Sequence, residues 1–102
     1  MKTDVDGLAV EAFQPRVGER FRICPSPDSA VDAELVEARP LSGGVRVANR
    51  RAPFALLFRT TLGVPMPQRI YRVEHDAMGA YDIFLVPVGK DATGVLYEAI
   101  FT

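Results

Sequence analysis

Hydrophobic and polar side chains alternate along most of the chain after Gly18. In residues 19–24, Phe21 and Ile23 share one face and two arginines lie on the other, which is typical of a half-buried strand. The period of two therefore predicts short antiparallel strands joined by turns. The predicted strands cover residues 19–24, 31–38, 53–60, 70–75, 81–88 and 95–101, and residues 45–47 are a candidate for a seventh.

The segment 31–38 allows two interpretations. Its alanine, glutamate and leucine residues favour a helix, but Val31, Ala33 and Leu35 alternate with acidic residues, so we favour a strand. The alternation loses its phase at Val36, and a β-bulge there would account for the change. We therefore predict an all-β fold, a six- or seven-stranded antiparallel small barrel or sandwich, and the pattern does not decide between the two.

The N-terminal arm, residues 1–16, contains the one predicted helix. Leu8 and Phe13 fall on one helical face, and Asp4 or Asp6 is a suitable N-cap. The pair at positions 14 and 15, Gln-Pro, ends the helix because a residue before proline is biased toward extended geometry. The length of the chain suits one domain, so we assign residues 1–102 to a single small β-domain with this arm.

Charge and composition exclude several classes of function. The 102 residues carry a formal net charge of −1, so a general electrostatic grip on nucleic acid or an anionic membrane is not expected. Apolar runs are far shorter than the ~18–20 residues of a membrane span, and the N-terminal residues lack the pattern of a signal peptide. The lone Cys24 forms no intrachain disulfide, and a cytoplasmic location is expected. Ten of the twelve basic residues are arginines, which suit ion-pair lattices on sheet surfaces, although base composition of the gene gives the same excess.

His75 is the only histidine and therefore the natural centre of any acid–base chemistry. It lies at a strand end beside a turn, where such side chains often bond free backbone groups, so we favour a structural role. Neighbouring residues on a strand point to opposite faces, so Glu74 is poorly placed to orient the ring. One cysteine and one histidine do not supply a zinc site, and Cys24 precedes a proline rather than an activating helix N-terminus. No catalytic residue, metal or cofactor is predicted.

The one local basic cluster consists of Arg46, Arg50 and Arg51. It is a candidate docking surface for an acidic partner or a phosphate, and the alternative is a solvated loop before a buried strand. Tyr71 and His75 complete the candidate binding residues, since Tyr71, Tyr81, Tyr97 and His75 would line the mouth of a ligand-binding barrel.

Several segments follow one another in a recognisable order: Phe13, Val17–Phe21, Pro53–Arg59, Pro67–His75, Gly79, Ile83–Gly89 and Tyr97–Phe101. In these segments the chain resembles a family of small bacterial domains of unknown function, and the resemblance is weakest over residues 25–49. The family has no assigned catalytic residues, so the resemblance transfers none. It implies an association with phage-tail-collar-like proteins.

These observations favour a domain that is not an enzyme and that acts through contact with another protein, as an accessory of a tail-like or surface assembly. A small-ligand-binding β-barrel is the alternative, and an enzyme centred on His75 is a remote one. A homodimer formed through a sheet edge is a further hypothesis, because free strand edges are often protected by pairing.

Overall fold

A computed structural model describes residues 8–41, 53–61 and 63–101. Helix α1 spans four residues and continues directly into a short 3₁₀ helix, and the later regular elements in the described part of the chain are all β-strands. The elements are α1 (Val10–Phe13), the 3₁₀ helix (Gln14–Arg16), β1 (Arg20–Ser26), β2 (Ser29–Pro40), β3 (Phe54–Thr60), β4 (Arg69–His75), β5 (Gly79–Asp91) and β6 (Gly94–Phe101).

The six described strands form a closed antiparallel barrel in the order β1-β2-β3-β6-β5-β4. The barrel closes where β4 pairs with β1, from Arg22 opposite Glu74 to Cys24 opposite Arg72. The predicted all-β class with a short N-terminal helix is confirmed. Because the sheet closes on itself, the six described strands form a barrel rather than a sandwich. The candidate seventh strand at residues 45–47 lies outside the described residues.

Strand β2 has the irregularity that the sequence predicts. Leu35 lies opposite Phe58 and Glu37 lies opposite Leu57, so the register shifts at Val36. The extra residue is a β-bulge, and Leu35 directly before it is fully buried. The segment 31–38 is therefore a strand and not a helix, and the predicted bulge is confirmed.

One end of the barrel, here called the helix end, is closed by the N-terminal arm. Phe13 is fully buried and its ring lies 5.9 Å from that of Phe54 and 6.2 Å from that of Phe101. The helix starts at Val10 with Ala9 in the N-cap position and without a side-chain cap, so the predicted aspartate cap is wrong. A single helical turn is unstable alone, so burial of Phe13 holds it in place instead.

The opposite end, here called the loop end, is covered by the connection between β3 and β4. Met66 in this connection is buried and lies over the barrel interior. The interior itself is filled by alternate residues of every strand, with Phe21 and Phe58 in edge-to-face contact at 5.4 Å.

None of the described helices is long and apolar enough to cross a bilayer.

Candidate interaction surface

His75 ends β4 at the helix end, and both nitrogens of its ring are hydrogen-bonded. Nδ1 accepts the backbone amides of Ala77 and Met78 at 3.0 and 3.2 Å. Nε2 lies 2.7 Å from a carboxylate oxygen of Glu19, to which it donates because Nδ1 is the acceptor. The expected bonds to the turn are therefore present, and the ring has no free lone pair with which to act as a base.

Glu19 is a partner of His75 that sequence reasoning missed, because 56 positions separate the two residues. A turn at Gly18, whose φ of 92° favours glycine, brings Glu19 to the start of β1. The backbone amide of Gly18 donates to the carbonyl of Leu35 at 2.8 Å, and the Leu35 amide donates to the Glu19 carbonyl at 3.1 Å. Arg16 forms a further ion pair with Glu19 at 3.5 Å.

The acidic neighbours of His75 in sequence point elsewhere. Glu74 accepts a hydrogen bond from Arg72 at 2.6 Å and another from Arg22 at 3.4 Å, and Asp76 pairs with Arg22 at 3.0 Å. The bonds from Arg72 and then Arg22 hold the pKa of Glu74 below its usual range. These contacts belong to an ion-pair lattice on the outer surface, which is one of the two explanations that the sequence leaves open for the arginine excess.

The four residues expected to line one mouth lie at different ends of the barrel. Tyr71 and Tyr97 are buried, and their hydroxyls hold the connection at the loop end: Tyr97 accepts the amide of Met66, and Tyr71 donates to the carbonyl of Pro67. Tyr81 is also buried, and His75 lies at the helix end. The barrel interior is filled by its own side chains, so these four residues do not form the expected mouth. The candidate cluster Arg46, Arg50 and Arg51 lies outside the described residues.

Cys24 is half-buried at the edge of the ion-pair lattice. Burial raises the pKa of its thiol, and the negative charge of Glu74 raises it further. A raised pKa reduces the thiolate population, so the site does not activate this cysteine as a nucleophile. Among the described residues, no group of three or more His, Cys, Asp or Glu side chains is placed to hold a metal ion.

An apolar pair stands on the outside of the barrel where β4 and β5 lie side by side. Ile70 and Phe84 are directly opposite each other across the two strands, and their exposed fractions are 64% and 51%. The next outward pair along the same strands is Arg72 opposite Asp82. We call these four residues the β4–β5 surface. Single exposed apolar residues are common, whereas two in direct cross-strand contact form a patch.

A groove of about 490 Å³ extends this patch toward β1. The β1–β4 ladder stops at Cys24, because Pro25 has no amide hydrogen and the β1 register shifts beyond Ile23. The groove that opens there is lined by Pro25, Pro27, Arg69 and Ile70, among others. The guanidinium of Arg69 packs 4.7 Å from the centre of the Tyr71 ring and donates to the carbonyl of Pro25, which fixes one wall.

The geometry defines a closed antiparallel β-barrel domain with a filled interior and an apolar patch on its outer surface. The family model for Domain of unknown function (DUF6916) matches residues 8–101, and the chain belongs to this family. Searches of the curated proteins and of the solved structures give no match.

Proposed function

We propose that this domain is not an enzyme and that it acts by protein–protein contact through the β4–β5 surface. The observation that carries the proposal is the exposed cross-strand pair of Ile70 and Phe84. Burying such a pair against a partner contributes about 25 cal/mol for each Å² of apolar surface removed from water. Both side chains are exposed on the outside of the barrel, so they add little to its core. Exposed apolar side chains lower solubility, and a role in binding explains why they are present.

The filled interior supports contact from the outside rather than binding within. The hydroxyls of Tyr71 and Tyr97 and the ring of His75 are all engaged by backbone or carboxylate groups of the chain itself. A ligand inside the barrel would have to displace these contacts and the side chains around them. The context that fits such a domain is that of an accessory in a larger tail-like or surface assembly, as the sequence resemblance implies.

The test is a binding titration of the purified domain against itself and against the purified products of adjacent genes. We expect association by the wild type, and a loss of at least about tenfold in affinity for the double variant Ile70→Glu/Phe84→Glu. The matched control is Ile100→Glu, because Ile100 is 51% exposed on the outer face and its cross-strand neighbour Ala55 is buried.

Three results would contradict the proposal. The first is an absence of association in every titration together with turnover of a small molecule by the isolated domain. The second is equal binding by the wild type and by the double variant, with both folded by circular dichroism. Weaker binding by the Ile100→Glu control would also count against it, because the effect would then not be specific to the β4–β5 surface.

A further inference from the structure

The β4–β5 surface carries an apolar row and a charged row at adjacent outward positions. Ile70 and Phe84 form the apolar row, and Arg72 and Asp82 form the charged row two residues further along each strand. Each row therefore holds one residue on β4 and a different, complementary residue on β5. A surface with this order is complementary to itself when the positions of the two strands are exchanged.

We propose that the partner of this surface is a second copy of the chain, an inference that rests on the proposed function. A two-fold axis that lies between the two surfaces and runs along the strands places β4 of one copy over β5 of the other. Ile70 then faces Phe84 of the second copy, and Arg72 faces Asp82 of the second copy. Symmetry repeats both contacts, which is the defining property of an isologous interface.

The charges of the surface favour a second copy of the chain over a partner that is strongly acidic or strongly basic. Arg72 and Asp82 balance each other, so a strongly acidic or strongly basic partner gains nothing here. The hydrogen bond between Arg72 and Glu74 uses the Nε atom of the guanidinium. The two terminal nitrogens together can form an end-on, two-pronged contact with a carboxylate, and Arg72 is exposed.

Barrel closure changes the kind of dimer that is expected. In a closed barrel each strand has a neighbour on both sides, so the reason for pairing two sheet edges disappears. The contact proposed here joins the outer faces of two strands instead. Because the outside of a barrel is convex, the buried area is small and the dimer is expected to be weak and concentration-dependent.

A charge-swap experiment tests the pairing of Arg72 with Asp82 between copies. The variant Arg72→Asp has two acidic residues in the charged row, and Asp82→Arg has two basic ones. Each variant alone meets like charges in the proposed dimer, whereas a mixture of the two restores opposite charges at both contacts. Because the two changes are on separate molecules, an effect within one chain does not restore association.

We expect analytical ultracentrifugation to detect a wild-type dimer as the concentration rises from about 10 µM to about 1 mM. Each single variant should raise the dissociation constant at least about tenfold, and an equimolar mixture should return it to within about threefold of the wild type. Thermal unfolding by circular dichroism checks that each variant is folded. If one does not fold, Ile70→Glu mixed with Phe84→Lys provides the same test in the apolar row.

Three outcomes overturn the inference. They are a wild type that stays monomeric throughout, a mixture that does not recover association, and a dimer that the swaps leave unchanged. If the wild type is monomeric but a neighbouring gene product binds and the Ile70→Glu/Phe84→Glu variant does not, the partner is wrong and the proposed function stands. If nothing binds the β4–β5 surface, both are wrong.

Discussion

The hydroxyl oxygen of Tyr97 lies 2.8 Å from the backbone nitrogen of Met66 and accepts its hydrogen bond. Tyr97 is fully buried in β6, whereas Met66 belongs to the connection that covers the loop end, so the bond fixes this cover to the barrel. The side chain of Met66 is also buried. The loop end is therefore closed by a polar bond and by apolar packing together.

Replacing Tyr97 with phenylalanine should loosen this cover. The Met66 amide would lose its acceptor in a buried place, so the free energy of unfolding should fall by about 1–3 kcal/mol. Hydrogen exchange at the Met66 amide should accelerate, and denaturant unfolding should show the lower stability. Tyr81→Phe is the control, because it removes the hydroxyl of another buried tyrosine of the barrel. Equal losses in the two variants would contradict the assigned role of the bond.

Removing the ring of His75 should affect stability rather than an activity. His75→Ala deletes the acceptor for Ala77 and Met78, the bond to Glu19 and the ring contact with Phe21, whose centre is 4.5 Å away. We expect the free energy of unfolding to fall by about 2–4 kcal/mol in urea denaturation.

His75→Asn separates the two sets of bonds that the ring makes. Asparagine at the start of a turn can still accept the amide two residues on, so part of the loss at Ala77 should be recovered. The bond to Glu19 should not be recovered. An unchanged stability in His75→Ala would contradict the structural role and would favour the catalytic alternative.

The strands could be predicted from the sequence because alternation is a local property. The phase break at Val36 even located the bulge in β2, since one extra residue shifts every later side chain to the other face. Closure of the barrel could not be predicted, because it depends on Arg22 meeting Glu74 across 52 positions. Alternation shows which residues share a face, but it does not name the neighbouring strand.

The candidate surface was harder to predict for the same reason. The run from Ile83 to Val86 is apolar on both faces, which favours a fully buried strand, yet Phe84 is half exposed. Ile83 and Leu85 point inward, so closure leaves Phe84 outside. The bonds of His75 to its own turn were predictable because they are local, whereas the bond to Glu19 required the fold.

Acid should weaken the β5–β6 turn through Asp91. Its carboxylate accepts the hydroxyl and the amide of Thr93 at 2.7 and 2.9 Å and pairs with Arg59 at 2.9 Å. These contacts, those from Thr93 first, hold the pKa of Asp91 well below its usual range. A lowered pKa in the folded state means stability that is present above the ordinary pKa of aspartate and is lost as the pH falls through the folded pKa.

Asp91→Asn should therefore be less stable than the wild type at neutral pH, and the difference should shrink below about pH 4. Melting temperatures measured from about pH 2 to about pH 7 check this expectation. The control is Asp28→Asn, because Asp28 is exposed in the turn between β1 and β2. A constant difference between Asp91→Asn and the wild type across the whole range would contradict the assignment.

Gly94 begins β6 in a position that excludes any side chain. A Cβ atom added there would overlap the backbone carbonyl oxygen of Thr60, and backbone does not move aside as the end of a flexible side chain does. Gly94→Ala should therefore lower the free energy of unfolding by more than about 2 kcal/mol, measured in urea. Gly89→Ala is the matched control in the adjacent strand β5, because a Cβ at Gly89 meets no atom within 4 Å, and we expect a change of less than about 1 kcal/mol. Similar losses in both variants would show that backbone freedom, rather than the close approach of Thr60, accounts for the glycine at position 94.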